Sequence, residues 1–162
     1  MADDPTPDFA LAAYREEGRW EVTPLPRRAT TGVTELVAAL RQLPADSGAL
    51  GLVSVGDDFC LIARTSGHGE VRLLLSDNTA ADDWPIAAEV LDAADEDEDE
   101  DDDEGPRPAG DLDIAADLGL DPMEASAILG DLDLYPDEML GRVAERLGFG
   151  EEFDRAVDIT AR

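Results

Sequence analysis

The chain carries one histidine, His68, and one cysteine, Cys60, against forty carboxylates. Acid–base, nucleophilic or metal chemistry would have to start from these residues. A catalytic histidine needs a nucleophile or an orienting carboxylate brought to it by other elements. His68 lies in Ser66-Gly67-His68-Gly69, with no triad or ligand partner in view, and reads as an exposed turn residue. A reactive thiol needs a nearby cation, a metal or a helix N-terminus to lower its pKa. Cys60 sits inside the strand-like run Phe59–Thr65 and reads as a small buried apolar side chain. A lone cysteine also excludes an intrachain disulfide and a cysteine-based zinc site.

The carboxylates are too abundant for any pair of them to mark a catalytic dyad. Their densest stretch is Asp95 to Glu104, DEDEDEDDDE, ten acids without a break. It has two functional readings, loose divalent-cation binding and mimicry of nucleic acid for a basic partner. A solvated linker is the simpler account, because packing ten adjacent charges into a core costs far more than it returns. Calcium-loop spacing fails at Asp131-Leu132-Asp133-Leu134-Tyr135-Pro136, which has the first two ligand positions but neither the third nor the glycine. Ser76-Asp77-Asn78-Thr79 joins a strand to a helix and could present N–H groups to an anion. Turn formation and capping explain it better, since no glycine-rich cradle is near. No phosphate loop, nucleophile elbow or ligand cluster appears, so the sequence predicts no catalytic residue, no cofactor and no metal.

Binding has a better candidate. Asp131 to Leu140 mixes acids with large apolar side chains between two helical stretches. Asp131, Asp133, Tyr135, Asp137 and Met139 are the predicted partner-binding residues, since aromatics and methionine dominate interface hot spots. Trp84, Tyr135, Met139 and Phe149 also fall at helical spacing, where a core role is the commoner one.

The charge decides the class of partner. Forty acids and twelve bases, all arginine, give a formal net charge of −28. The run holds ten of those negative charges, which leaves −18 for the rest of the chain. Such a surface repels nucleic acid and anionic membrane, since phosphate binding needs Lys or Arg to release counterions. A basic protein partner is expected, with no direct nucleic-acid or membrane binding. No apolar run approaches the roughly 20 residues of a membrane span, and Met1 to Asp8 is acidic and holds two prolines, unlike a signal peptide. A cytoplasmic protein is expected.

The elements that would carry these residues follow from periodicity. Phe9–Tyr14 and Trp20–Leu25 read as a hairpin around Glu16-Glu17-Gly18, with Pro24 confining the second strand to an edge. Val33, Leu36, Val37, Leu40 and Leu43 mark one face of a helix. Ala49–Val55, Phe59–Thr65 and Val71–Leu75 read as a three-stranded meander. Apolar residues occur on both sides of these strands, so both sheet faces should be covered. The N-terminal helices would cover one face, and the C-terminal helices or a second copy of the chain the other. Asp82 to Ala93 reads as a second helix, and Asp92 to Gly110 as irregular and solvated.

The final third is helical. A short helix is expected over Asp111–Leu118. The next opens at Asp121-Pro122, with Asp121 as cap and Glu124 reaching back to complete a capping box. A longer one runs from Pro136 to Leu147, with Gly148 and Phe149 closing it in a Schellman motif. Phe153, Ala156 and Val157 mark a last helix. The prediction is an α+β fold, a small antiparallel sheet in the order β-β-α-β-β-β-α, then an acidic linker and a small all-α segment. The domains would be 1–93, a disordered linker 94–108 and 109–162. So small a helical segment should lean on the first half or on a partner.

VRLLLSDNTAADDWPIAAEVLD (71–92) and AGDLDIAADLGLDPMEASAILGDLDLYPDEMLGRVAERLGFGEEFDRAVD (109–158), either side of the acidic run, resemble the actinobacterial tRNA adenosine deaminase-associated proteins. That family takes its name from genes lying beside a tRNA adenosine deaminase gene. The resemblance implies an association and no activity, and it brings no catalytic residues. The deaminase itself needs a zinc site of the H-x-E…P-C-x-x-C kind, which one histidine and one cysteine cannot build. The expectation is a non-enzymatic acidic binding or regulatory protein. It would dock on the basic surface of the deaminase or compete with its tRNA. A structural homo-oligomer without a deaminase role is the alternative.

Overall fold

The structure is a computed structural model that describes residues 9–43, 48–55, 58–65, 71–94, 108–131 and 133–160. The acidic run and His68 lie outside the described residues. Strands β1 (Phe9–Glu16), β2 (Arg19–Pro24), β3 (Ala49–Val55), β4 (Phe59–Thr65), β5 (Val71–Leu75) and β6 (Ala109–Gly110) form one antiparallel sheet in the order β2-β1-β3-β4-β5-β6. Helices α1 (Val33–Arg41), α2 (Pro85–Ala94), α3 (Pro122–Leu129), α4 (Pro136–Leu147) and α5 (Gly150–Thr160) pack on it. The α+β class and the expected order of the first seven elements hold.

Successive strand residues point to opposite faces, and here both faces are dry. Ala10, Ala12, Val53, Phe59, Leu61, Leu73 and Leu75 meet Leu36 and Leu40 of α1 and Ile86 and Val90 of α2. Phe9, Leu11, Leu50, Leu52, Cys60, Ile62 and Leu74 meet Leu129 of α3, Leu140 and Val143 of α4, and Phe153 of α5. The face that a second copy could have covered is filled by the chain's own C-terminal helices. Each fully buried Leu or Phe contributes roughly 1.5–3 kcal/mol, so the helical segment draws its stability from the sheet.

The hairpin turn is Glu17-Gly18, one residue later than the periodicity suggests. The pair Glu16 and Arg19 closes it, and both loop residues have positive φ, 56° and 81°. That is the type I′ pair, which suits asparagine at the first position and strains glutamate. Glu17→Asn should raise stability by about 0.5–1 kcal/mol, read as a higher urea midpoint at unchanged m. Strand β2 is an outer strand and ends on Pro24, opposite Leu11.

Three boundaries differ from the sequence reading. The second helix starts at Pro85, because Asn78–Asp82 is a separate 3₁₀ turn capped by Asp77. Residues 111–118 form turns and the 3₁₀ segment Ala116–Leu118 in place of an α-helix. Ala109–Gly110, read as irregular chain, pairs with Leu75 and Leu74 of β5 as a sixth strand.

Arginines fasten the C-terminal segment to the sheet. Arg64 on β4 grips both oxygens of Asp117 and donates to the Ile114 carbonyl at 2.8 Å. Arg72 on β5 pairs with Asp111 at 3.2 Å and donates to the Asp113 carbonyl. The Arg64 guanidinium, chiefly by hydrogen bonding, holds the Asp117 carboxyl below its ordinary value of 3.8. A carboxylate depressed in this way adds stability that is complete above its unfolded pKa and is lost as pH falls through the folded one. Asp117 is 62% exposed, so screening limits the pair to about 0.5–1 kcal/mol. Asp117→Asn should cost that much at pH 7 and nothing at pH values below the ordinary carboxylate range. Paired urea melts across the acid range check this.

Candidate docking groove

The residues that could have done chemistry are absorbed by the fold. Cys60 is fully buried, burial pushes its thiol up to about 12, and its Sγ lies 3.9 Å from Met139 Sδ. It stays protonated at neutral pH, which is the wrong state for a nucleophile. Ser76 Oγ accepts from the Cys60 N–H at 2.9 Å, and Asp77 accepts from the Thr79 N–H at 2.8 Å, so this junction is spent on pairing and capping. Among the described residues, no three His, Cys, Asp or Glu side chains converge as a metal cage. No described helix is long and apolar enough to cross a membrane.

The predicted partner-binding residues divide. Asp133, Tyr135 and Asp137 are exposed, Tyr135 at 58%, and Asp131 is half-buried. Asp131 accepts from the Asp133 N–H at 3.0 Å and so builds its own turn. Met139 is turned inward with Leu140, Val143 and Leu147 on the buried stripe of α4, so it is core and cannot touch a partner. Trp84 and Phe149 are likewise used internally. Trp84 packs edge-on against Phe59 and donates to Asp58 at 3.2 Å, while Phe149 packs at a tilt against Trp20 with ring centroids 4.6 Å apart.

A groove lies between α4 and α5. Asp121 caps α3 by accepting from the Met123 N–H, but Glu124 does not reach back to it. Glu124 pairs instead with Arg146 of α4 at 2.8 Å, a full charge being the stronger partner. Glu138 accepts from the Tyr135 N–H at 2.9 Å and fixes the start of α4. Gly148 then closes α4 at φ 103°, with the Phe149 N–H donating to the Ala144 carbonyl and the Gly148 N–H to the Ala144 and Glu145 carbonyls, the Schellman arrangement. Only Gly148 and Phe149 separate α4 from α5.

The resulting hollow is about 470 Å³. Its apolar lining is Leu134, Gly141, Phe153 and Val157, and its charged lining is Asp137, Glu138, Glu145, Asp154 and Asp158 with Arg142. Residues four apart on one helix share a face, so Asp137, Gly141 and Glu145 from α4 look across at Phe153 and Val157 from α5. Asp137 is the one predicted partner-binding residue that lines it. The rest were missed, although Gly141 in the middle of an otherwise good helix was a readable signal. Chemically the groove offers an apolar strip flanked by five acids and one base. It suits a cationic, partly apolar ligand.

A family model described as Rv3753c-like tRNA adenosine deaminase-associated protein matches residues 8–150. The chain is 42% identical over 160 residues to Protein Rv3753c of Mycobacterium tuberculosis (strain ATCC 25618 / H37Rv), covering 97% of this chain and 92% of that protein. No solved structure matches the chain. The family match spans the whole sheet, α1 to α4 and the corner that leads into α5, and with that relative it shows that the chain belongs to the Rv3753c-like tRNA adenosine deaminase-associated protein family.

Proposed function

We propose that the chain is a non-catalytic, cytoplasmic binding protein that docks on the basic, tRNA-facing surface of a tRNA adenosine deaminase and so competes with tRNA phosphates. The observation that carries this is the net charge of −28 in a family named for association with that enzyme. The disposition of the arginines supports it. Arg15 lies over the Trp20 ring, and Arg64, Arg72 and Arg146 are paired with acids of the same chain. These four of the twelve arginines make contacts within the chain, and the forty acids leave the outward field negative. Such a field steers a basic partner and raises the on-rate, with a strong dependence on salt. The ten acids from Asp95 to Glu104 add to that field.

Size-exclusion chromatography with light scattering tests the reading, with the protein alone and mixed with the deaminase of the same genome. Co-elution at low salt that weakens at high salt is expected. Inosine formation in the mixture should then show a raised KM for tRNA at an unchanged kcat, the signature of competition for uniform binding. Separate elution at low salt with unaltered inosine formation would sink the proposal. In that case, an apparent mass of twice the chain for the protein alone would point to the homo-oligomer.

A further inference from the structure

Gly141 has no reason within this chain to be glycine. It lies inside α4, its φ is not positive, and a methyl added there would sit 3.7 Å from Phe153 Cε2, an ordinary van der Waals distance. Glycine in a helix interior is destabilising relative to alanine, so the position carries a cost that the monomer does not explain. The missing side chain does have one visible effect. It keeps the strip between α4 and α5 low, where Phe153 and Val157 form the opposite wall.

We propose that this groove seats a basic amphipathic helix of the partner protein, its apolar stripe against Gly141 and the half-buried Leu134 and Val157, and its arginines or lysines on Asp137, Asp154 and Asp158. The inference rests on the reading of the chain as a deaminase-binding protein and names the surface used. Two helices with a low strip between them accept a third by ridge-into-groove packing, and a glycine in the strip allows close approach. Charge selects the occupant. Five acids against one base favour a cationic helix, while a second copy of this chain, at −28, brings the wrong sign. Recognition of an amphipathic helix by an apolar groove is an established binding mode.

The test uses the full chain. Gly141→Leu fills the strip, and Asp154→Arg with Asp158→Arg reverses one rim at two exposed positions. Both variants are compared with the natural chain for co-elution with the deaminase. The probe for direct binding is a synthetic helical peptide of about twelve residues, the length of α4, with leucines on one face and arginines on the other, titrated into ¹⁵N-labelled protein. Spermidine serves as the charge-only control.

Amide shifts centred on Gly141, Phe153 and Val157 are expected with the peptide and not with spermidine. Both variants should weaken binding by about tenfold or more, and Gly141→Leu should keep a folded spectrum. If the natural chain and both variants co-elute equally with the deaminase, the groove inference is overturned and the association stands. If nothing co-elutes, the association reading fails, and the peptide alone decides the groove: shifts at those three amides support it, and their absence overturns it. Equal shifts from spermidine would also overturn it, since charge alone would then be the ligand.

Discussion

Phe149→Ala is expected to lower stability by about 3–5 kcal/mol, which is a large part of the roughly 5–15 kcal/mol that a domain of this size holds. Phe149 is fully buried and packs against Trp20. Trp20 belongs to the edge strand β2, so this contact joins the first hairpin to the corner between α4 and α5. Alanine would open a cavity there and take away the hydrophobic contact that accompanies the Schellman bonds of α4. Urea denaturation followed by tryptophan fluorescence reads the effect, with Phe149→Leu as a volume-sparing control that should cost less than half as much. A loss below about 1 kcal/mol would mean that the helical layer does not rest on the sheet as described.

Gly110→Ala comes next, with an expected loss of about 2–4 kcal/mol from strain and overpacking together. Gly110 lies in β6 at φ 116°, a conformation that side chains rarely adopt. A Cβ there would also fall onto the backbone carbonyl oxygen of Leu73. The same oxygen accepts the Asp111 N–H at 2.9 Å, so relieving the clash breaks a bond. The change should therefore act locally as well as globally. Amide exchange at Asp111 should rise far more than at Leu61 in the centre of β4. Equal protection at both positions in variant and natural chain would refute the account.

Much of the fold was legible because its signals are local. Val33, Leu36, Val37 and Leu40 define α1 by spacing alone, and Leu36, Val37 and Leu40 are its buried residues. Cys60 and Ile62 opposite Phe59 and Leu61 announced a sheet covered on both sides, and the two separate cores confirm it. Asp121-Pro122 and Gly148-Phe149 marked helix ends by cap chemistry. Strand β6 was not legible. Two residues have no periodicity, and their pairing with Leu74 and Leu75 joins chain segments more than thirty positions apart. The residues of the groove were hidden for a related reason. Phe153 and Val157 acquire their place only when α5 turns back beside α4, and nothing near them in sequence says which face will meet Gly141. Met139 was misjudged because exposure cannot be read from residue type. Its neighbours Leu140, Val143 and Leu147 make it part of a core stripe.

Strand β6 sets where the chain resumes on the sheet after the acidic run. The run is preceded by α2, packed on the sheet, and followed by β6, hydrogen-bonded to β5 of the same sheet. The elements on either side of the run, α2 and β6, therefore lie on the same sheet. Loop closure grows only slowly more costly with length, by about 0.6 kcal/mol for each doubling. The number of residues between α2 and β6 can thus change at little cost in closure entropy. A chain built this way tolerates a longer or shorter segment at this point without a change in the sheet that carries it.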